Sequence, residues 1–153
     1  MVSESSRFAE PRSESPGFLL WHLTSQWQRQ VTASLAPLGL THTQFVILAC
    51  TNWLNASDGP VPQVDIARNA GTDPQTASQV LRRLEKAALL TREIDPQDSR
   101  ALLIEVTELG RKKAVEAVVL VEAADEQFFA ELPPSFRQAV LRCGKKKDVS
   151  ARP

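Results

Sequence analysis

The sequence has few cysteines and few glycines, and each shortage excludes a class of site. Its two cysteines, Cys50 and Cys143, lie far apart with no C-x-x-C spacing, so neither a disulfide framework nor a zinc site is indicated. Free thiols are typical of a reducing cytosol. The six glycines form no phosphate-cradling cluster, and no His, Cys and carboxylate group recurs at ligand spacing. We therefore expect no catalytic residue, metal or cofactor, and we predict that the chain is not an enzyme.

The chain also lacks a net charge, because 18 basic and 18 acidic residues cancel at pH 7. That balance argues against a protein that binds polyanions through one large positive field, so any cationic face must be local. No apolar run is long enough to span a bilayer, so we expect a soluble, cytoplasmic protein with no membrane partner. Its 153 residues, 42% of them hydrophobic, suit a single domain.

Residues 73–90 carry the strongest pattern in the chain. Asp73 can cap the start of a helix, and Pro74 suits the first helical position. Apolar residues that recur at steps of three and four predict one buried stripe, made of Ala77, Val80, Leu81, Leu84 and Ala88. The opposite side carries Gln75, Thr76, Gln79, Arg82, Arg83 and Lys86, with no acidic residue until Glu85. Such a face can bind an anionic partner, although many surface helices carry these residues only to stay hydrated.

The flanking segments favour the first alternative. Residues 62–72 predict a short helix ending near Gly71, which supplies the left-handed residue of a tight turn. Two helices joined by a short turn form a helix-turn-helix, whose second helix enters the major groove of DNA. The period then changes to two, and residues 90–94 and 102–106 predict two strands joined by a projecting tip at 95–101. The segment as a whole predicts a winged helix-turn-helix.

Residues 18–36 predict a long helix that is apolar on two sides. One stripe consists of Leu20, Leu23, Trp27, Val31 and Leu35, and a second side carries Phe18, Leu19 and Trp21. A helix of this kind usually packs both on its own core and on a partner, so we predict that it forms part of a dimer interface. The alternative is that Phe18 and Trp21 only cover the edge of the core.

Further helices are predicted on both sides of the winged segment. Thr41 begins a capping box and a second helix, which is followed by an exposed loop at 55–60. The residues expected to face inward from that helix are Phe45, Leu48, Ala49 and Trp53. Thr107 is expected to cap a long helix over 108–131, and a last helix is predicted at 135–144.

The order of these motifs resembles that of the MarR family of dimeric transcriptional regulators. The resemblance is carried by L-G-L-T-x-x-Q-F at 38–45, I-A at 66–67, L-R-R-L-E-K at 81–86, D-P-x-D-x-R at 95–100 and T-x-x-G at 107–110. The chain departs from the family at Ala88, where glycine is usual, and at Ser99, where a second arginine is common. The first departure suggests a different helix exit, and the second suggests a wing tip that grips DNA less strongly.

The resemblance implies a mainly α-helical fold with a small β-hairpin wing, in one domain over 18–146. Residues 1–17 and 147–153 are predicted to be flexible tails. The winged helix-turn-helix lobe would occupy about 41–106. The helices expected to interlock across a twofold axis are those at 18–36, 108–131 and 135–144.

The expected partner is double-stranded DNA with a pseudo-palindromic operator, whose half-sites lie about one helical turn apart. The predicted DNA-binding residues are Gln75, Thr76, Ser78, Gln79, Arg82, Arg83, Lys86, Arg92, Asp98 and Arg100. Gln and Arg side chains in the first half of the helix would read base edges, and Arg100 resembles the family arginine that enters the minor groove. Lys86 and Arg92 would contact phosphates or stay solvated. Asp98 would pair with a wing arginine by resemblance, or would be an ordinary turn carboxylate.

The family commonly binds small aromatic or lipophilic molecules between its dimerisation helices and its DNA-reading lobe, and a phenolic ligand of this kind would release a repressor. Candidate residues are Trp21, His22, His42 and Trp53, each of which has a plainer alternative as a core or locally hydrogen-bonded residue.

Two other functions stay open. A winged helix could bind a protein partner instead of DNA. The zero net charge and the serine at position 99, which weakens the grip of the wing tip on DNA, both favour this alternative. Redox sensing could use Cys143, whose thiolate the basic residues at 145–147 would favour, whereas Cys50 is expected to be a small buried residue.

Overall fold

The structure, a computed structural model, describes residues 6–148, with side chains described through residue 144. The helices are α1 (Pro11–Glu14), α2 (Pro16–Leu35), α3 (His42–Asp58), α4 (Gln63–Ala70), α5 (Pro74–Lys86), α6 (Glu108–Phe129) and α7 (Ser135–Asp148). The strands β1 (Val61–Pro62), β2 (Leu90–Asp95) and β3 (Asp98–Val106) form one antiparallel sheet in the order β1-β3-β2. The predicted fold, mainly α-helical with a small β-hairpin wing, is confirmed.

Both ends of the chain differ from the predicted tails. Residues 11–14 are helical, and α2 already begins at Pro16, because the Ser15 side chain accepts the Phe18 N–H at 3.4 Å and a proline occupies the first turn. The predicted flexible tail over 1–17 therefore contains helical residues at 11–14 and 16–17 that were not predicted. Helix α7 continues to residue 148, and the rest of the predicted tail at 147–153 lies outside the described residues.

The predicted loop at 55–60 is mostly the last turn of α3, and Asn55 explains why. Its Nδ2 donates to the carbonyl oxygens of Gly59 at 2.7 Å and Ile104 at 3.1 Å, and its Oδ1 accepts the Val106 N–H at 2.8 Å. One half-buried carboxamide thus satisfies three backbone groups that would otherwise need other partners. These bonds tie the end of α3 to β3 at the base of the wing.

One continuous core underlies the helix-turn-helix, the sheet and the long helices. Its fully buried large side chains are Val31, Leu35, Ile47, Leu48, Thr51, Ile66, Leu81, Leu84, Leu90 and Ile104. Each large apolar side chain buried in this way stabilises the fold by roughly 1.5 to 3 kcal/mol relative to the exposed state. The apolar face of α5 therefore cannot turn outward without losing core contacts, which fixes the direction in which its polar face points.

Helix α5 ends at Lys86, earlier than the sequence predicted. The N–H of Leu89 donates to the Leu84 carbonyl at 3.0 Å and the N–H of Ala88 to the Glu85 carbonyl at 2.8 Å, which is a Schellman ending. Ala88 takes the left-handed residue of that motif with φ of 59°, where glycine is usual. It is exposed, so its predicted place in the buried stripe is wrong, while Ala77, Val80, Leu81 and Leu84 are buried as predicted.

Replacing Ala88 with glycine should stabilise the protein. An L-residue in the left-handed region costs about 1 to 2 kcal/mol, and glycine removes this strain. The gain is only partial, because glycine also makes the unfolded chain more flexible and so favours unfolding. We expect the A88G variant to gain about 1 kcal/mol in free energy of unfolding, measured as a higher denaturant midpoint at unchanged slope. The matched control is A87G, since Ala87 has φ of −83° and gains nothing from glycine. An A88G variant no more stable than wild type would show that the turn carries no strain.

The wing has longer strands and a shorter tip than the sequence predicted. Leu90 pairs with Val106 and Ile94 with Leu102, and only residues 96–97 separate the strands. The Asp95 side chain accepts the Gln97 N–H at 2.8 Å and so closes the turn. Strand β1, which was not predicted because two residues are too few to show alternation, pairs with β3 and joins the helix-turn-helix to the wing.

Within residues 6–148, no single helix is long and apolar enough to cross a membrane, although the bent pair Pro16–Leu38 and His42–Asp58 together has the necessary length and composition. Within the same residues, no group of three His, Cys, Asp or Glu side chains is placed to hold a metal ion.

Candidate nucleic-acid interface

The start of α5 is held by Asp73. Its Oδ1 accepts the Thr76 N–H at 2.8 Å and its Oδ2 accepts the Thr76 hydroxyl proton at 2.6 Å. The hydrogen bond from the Thr76 side chain, helped by backbone bonds, lowers the pKa of Asp73 below its usual value. An ionised carboxylate thus occupies the helix start. Because the Thr76 hydroxyl proton is already donated, Thr76 can meet DNA only as an acceptor or through its methyl group.

The polar face of α5 points outward, away from the buried stripe. Its exposed residues are Gln75, Gln79, Arg82, Arg83 and Lys86, while Thr76 and Ser78 are half-buried. Among the described residues, no salt bridge involves Arg82, Arg83 or Lys86. The structure therefore brings together the helix residues predicted to bind DNA and leaves three cations able to neutralise an anionic partner.

Arg92 was predicted to contact phosphates or to stay solvated, and the structure excludes the second of these alternatives. Its side chain is only 17% exposed, and its Nε and Nη2 lie 2.8 and 2.7 Å from the same carboxylate oxygen of Glu85. One charge-assisted hydrogen bond from Nε and the ion pair from Nη2 hold the guanidinium in place. Arg92 therefore joins β2 to α5.

The tip of the wing carries Asp98 and Arg100, both exposed. Asp98 accepts the backbone N–H of Arg100 at 3.0 Å, and no salt bridge in the described part of the chain involves Asp98. Of the two alternatives predicted for Asp98, the structure shows the ordinary turn carboxylate, because an aspartate two residues before an amide readily forms a local turn bond. The Arg100 side chain lines a groove of about 260 Å³ between the wing and the start of α4.

Comparison with known proteins identifies the family. The profile of the MarR family matches residues 40–102. The HTH-type transcriptional regulator YdcH of Bacillus subtilis is 42% identical over 125 residues, which are 82% of this chain and 84% of YdcH. The chain belongs to the MarR family.

Other relatives agree with this assignment. The HTH-type transcriptional repressor Rv2887 of Mycobacterium tuberculosis is 36% identical over 116 residues, 76% of this chain and 81% of the repressor. The structure of Rv2887 in complex with salicylic acid matches with a TM-score of 0.60 at 33% identity, over 88% of this chain and 97% of that one. CouR from Rhodococcus jostii RHA1, solved bound to p-coumaroyl-CoA, matches with a TM-score of 0.72 at 28% identity, over 92% and 94%.

The predicted ligand residues of this MarR-family chain do not converge on one pocket. Trp21 is 70% exposed and Trp53 is 64% exposed. The exposed His22 ring stacks edge-on against Phe18, at 4.6 Å between ring centroids. The inward orientation predicted for Trp53 is wrong, because α3 buries the stripe of Ile47, Leu48, Thr51 and Leu54, and position 53 falls almost opposite that stripe. The same stripe leaves Phe45 and Ala49 only half-buried.

Of the four predicted ligand residues, His42 lines a cavity that lies between α2, α3 and the helix-turn-helix. Its ring packs edge-on against Trp27 at 5.0 Å between centroids, and Trp27 Nε1 donates to Asp125 Oδ1 at 2.6 Å. Burial lowers the pKa of the His42 imidazole, opposed by the nearby charge of Asp125, so the ring is neutral near pH 7. The cavity, of about 170 Å³, is lined by Gln28, His42, Thr43, Val46, Ala70 and Thr72. Thr72 belongs to the turn that leads into α5.

Trp27 is a residue whose position the sequence did not reveal. It contacts His42 on one side and, on another, lines an apolar groove of about 200 Å³ between α2, α6 and α7. Leu20, Leu23, Phe129, Phe136 and Val140 also line this groove. The apolar stripe of α2 predicted only that Trp27 would be buried, since periodicity cannot show which partner a half-buried indole will find.

The two cysteines lie away from the polar face of α5. Cys50 is half-buried rather than fully buried, and burial raises the pKa of its thiol. A raised pKa leaves little reactive thiolate near neutral pH. Cys143 is exposed, and the side chains at 145–147 that were predicted to activate it lie outside the described residues.

Proposed function

We propose that this MarR-family chain is a homodimeric transcriptional repressor that binds a pseudo-palindromic DNA operator. The observation that carries the proposal is the polar face of α5, where Arg82, Arg83 and Lys86 are exposed without an ion pair in the described residues. The buried stripe beneath it holds this face outward, as a helix that enters the major groove requires.

The roles of the side chains follow from their chemistry. Gln75, Gln79 and Arg82 can read base edges, because a carboxamide pairs with adenine and a guanidinium with guanine. Arg83 and Lys86 suit phosphates, which set the position of the protein without reading sequence. Arg100 is exposed at the wing, where it can enter a minor groove whose negative potential attracts arginine.

The exposed apolar surface supports a second copy as partner. Leu20 and Trp21 of α2 are 63% and 70% exposed, Val119 of α6 is 61%, and Val140 and Leu141 of α7 are 54% and 49%. A helix of 14 residues such as α7 is marginal in water unless its apolar side packs on something. We propose that α2, α6 and α7 of two subunits cover one another, which places two α5 helices on the same side of the dimer.

The effector is proposed to be a small aromatic carboxylic acid. The support is the Rv2887 complex with salicylic acid and the His42 cavity, in which the buried Thr72 hydroxyl has no hydrogen-bond partner among the described residues. A ligand that forms a hydrogen bond with this hydroxyl would contact the turn that leads into α5. Its binding would therefore favour one spacing of the two α5 helices over another, which is how an effector shifts a population.

Selection from a random duplex library tests the proposal. We expect the full-length protein, a dimer by light scattering, to enrich an inverted repeat whose half-sites lie about 10 base pairs apart. Added salicylate should then weaken binding to that duplex, whereas benzyl alcohol, which lacks the carboxylate, should not. A library with no enriched sequence would contradict DNA recognition and would favour the alternative of a protein-docking winged helix. Enrichment of a single, asymmetric half-site would contradict the dimeric mode.

A further inference from the structure

Glu85 is an unfavourable residue for a helix that binds DNA. It is the one acidic residue within α5, and it follows Arg82 by one helical turn and Ser78 by two. Residues at these spacings lie on one side of a helix, so the carboxylate stands at the edge of the polar face. Its side chain is 37% exposed. An uncompensated negative charge at that edge would repel the phosphates that the neighbouring cations attract.

Arg92 reaches Glu85 from the wing. It lies on β2, opposite Ile104 in the ladder, and is therefore fixed by strand pairing rather than by the helix it contacts. Both nitrogens that face Glu85 bind the same oxygen, at 2.8 and 2.7 Å, and only 17% of the arginine side chain is exposed. Most of the arginine side chain is therefore covered, and two of its three guanidinium nitrogens face Glu85. The pair neutralises Glu85 where α5 meets the wing.

We propose that Arg92 is a positioning residue that acts through Glu85: it masks the carboxylate at the edge of the DNA-reading face and does not itself contact DNA. The proposal rests on the DNA-binding function proposed above. The masking also holds the Glu85 carboxylate toward the wing strand and away from the phosphates beside Arg82.

Two other roles for Arg92 make different predictions. If Arg92 bound a phosphate, removing Glu85 could not restore the affinity lost with Arg92. If the pair served only to fix the wing against α5, removing either partner would weaken binding equally. Masking alone predicts that removing Arg92 weakens DNA binding, that removing Glu85 does not, and that removing Glu85 as well restores the affinity lost with Arg92.

The test measures the affinity of wild type, R92A, E85Q and R92A/E85Q for the selected operator duplex, by fluorescence anisotropy between 50 and 200 mM salt, about the range over which phosphate contacts are resolved. We expect R92A to bind about tenfold more weakly, since the repulsion counts once in each subunit of the dimer. E85Q should bind at least as tightly as wild type. The double variant should return to within about twofold of wild type, with the wild-type salt slope, as expected when no phosphate contact is lost.

Two results would overturn the proposal. One is an E85Q variant as weak as R92A, which would assign the pair to wing anchoring. The other is a double variant that stays as weak as R92A while its salt slope falls by about one, which would make Arg92 a phosphate ligand. Should R92A unfold by circular dichroism, R92Q removes the charge with less loss of packing. A wild-type protein that binds no duplex refutes the DNA-binding function itself, which is a separate outcome.

Discussion

Replacing Gly110 with alanine should lower the free energy of unfolding by about 3 kcal/mol, near the upper end for adding a methyl group to a packed site. A Cβ built at Gly110 would lie 1.8 Å from the Leu89 carbonyl oxygen and 2.9 Å from Val106 Cγ1. The first contact is with backbone, which cannot turn away as a flexible side chain can. Thermal unfolding at fixed protein concentration should show a midpoint lower by roughly 6 to 12 °C.

Gly144 supplies the matched control. It lies in α7, and within one subunit a methyl group added there would have no neighbouring atom within 4 Å, so the fold of the subunit presents no obstacle to the same change. We expect G144A to be neutral or slightly stabilising, because alanine is the better helix former. If G110A were as stable as G144A, the first turn of α6 could not be packed against the Leu89 carbonyl as the structure shows.

The crowding at Gly110 marks the junction between the end of α5 and the start of the long helix α6. Thr107 donates its hydroxyl proton to the Ala88 carbonyl at 2.7 Å and its N–H to the Leu89 carbonyl at 3.1 Å, while its side chain accepts the Gly110 N–H at 3.0 Å. The exit of α5 and the start of α6 therefore share hydrogen bonds. The T-x-x-G motif at 107–110 is explained by this contact, since only a residue without Cβ permits it.

The winged helix-turn-helix was predictable because its signals are local and agree with one another. The cap at Asp73, the buried stripe of α5, the left-handed Gly71 and the change of period in the wing each depend on neighbours a few residues apart. The capping box at Thr41 and the cap at Thr107 were confirmed for the same reason. Local hydrogen bonds and periodicity are what a sequence displays directly.

The features that sequence reasoning missed depend on contacts between distant segments. Asn55 was placed in a loop because its type favours turns, whereas its partners at Ile104 and Val106 lie about fifty positions along the chain. Arg92 was predicted to be a phosphate contact or a solvated charge because nothing near it in sequence shows that Glu85 lies across the wing junction. On α3, two apolar stripes fit the same helix, and only the packing of its neighbours selects the one that contains Ile47.

The DNA interface is the part of the candidate site that most needs a quantitative test, and Arg82 offers the largest expected effect. It is exposed in the second half of α5, one turn after Gln79, and has no salt bridge in the described residues. A bidentate contact from arginine to guanine is worth about 1 to 3 kcal/mol, and the proposed symmetric dimer would lose it twice. The R82A variant should therefore bind the selected operator at least about 30-fold more weakly than wild type.

The affinity for a scrambled duplex distinguishes recognition of bases by Arg82 from electrostatic attraction to phosphates. A base-reading Arg82 predicts that R82A loses most of its preference for the operator, whereas its affinity for scrambled DNA falls only a few fold, since that binding depends on phosphates. The matched control is R12A, which removes an exposed arginine from α1, outside the helix-turn-helix, the wing and the three helices proposed to form the dimer interface, and should bind like wild type. Equal losses on both duplexes would make Arg82 a phosphate ligand. An unchanged operator affinity would exclude this part of α5 from the interface, because a guanidinium so exposed on a groove-binding helix would contact either a base or a phosphate.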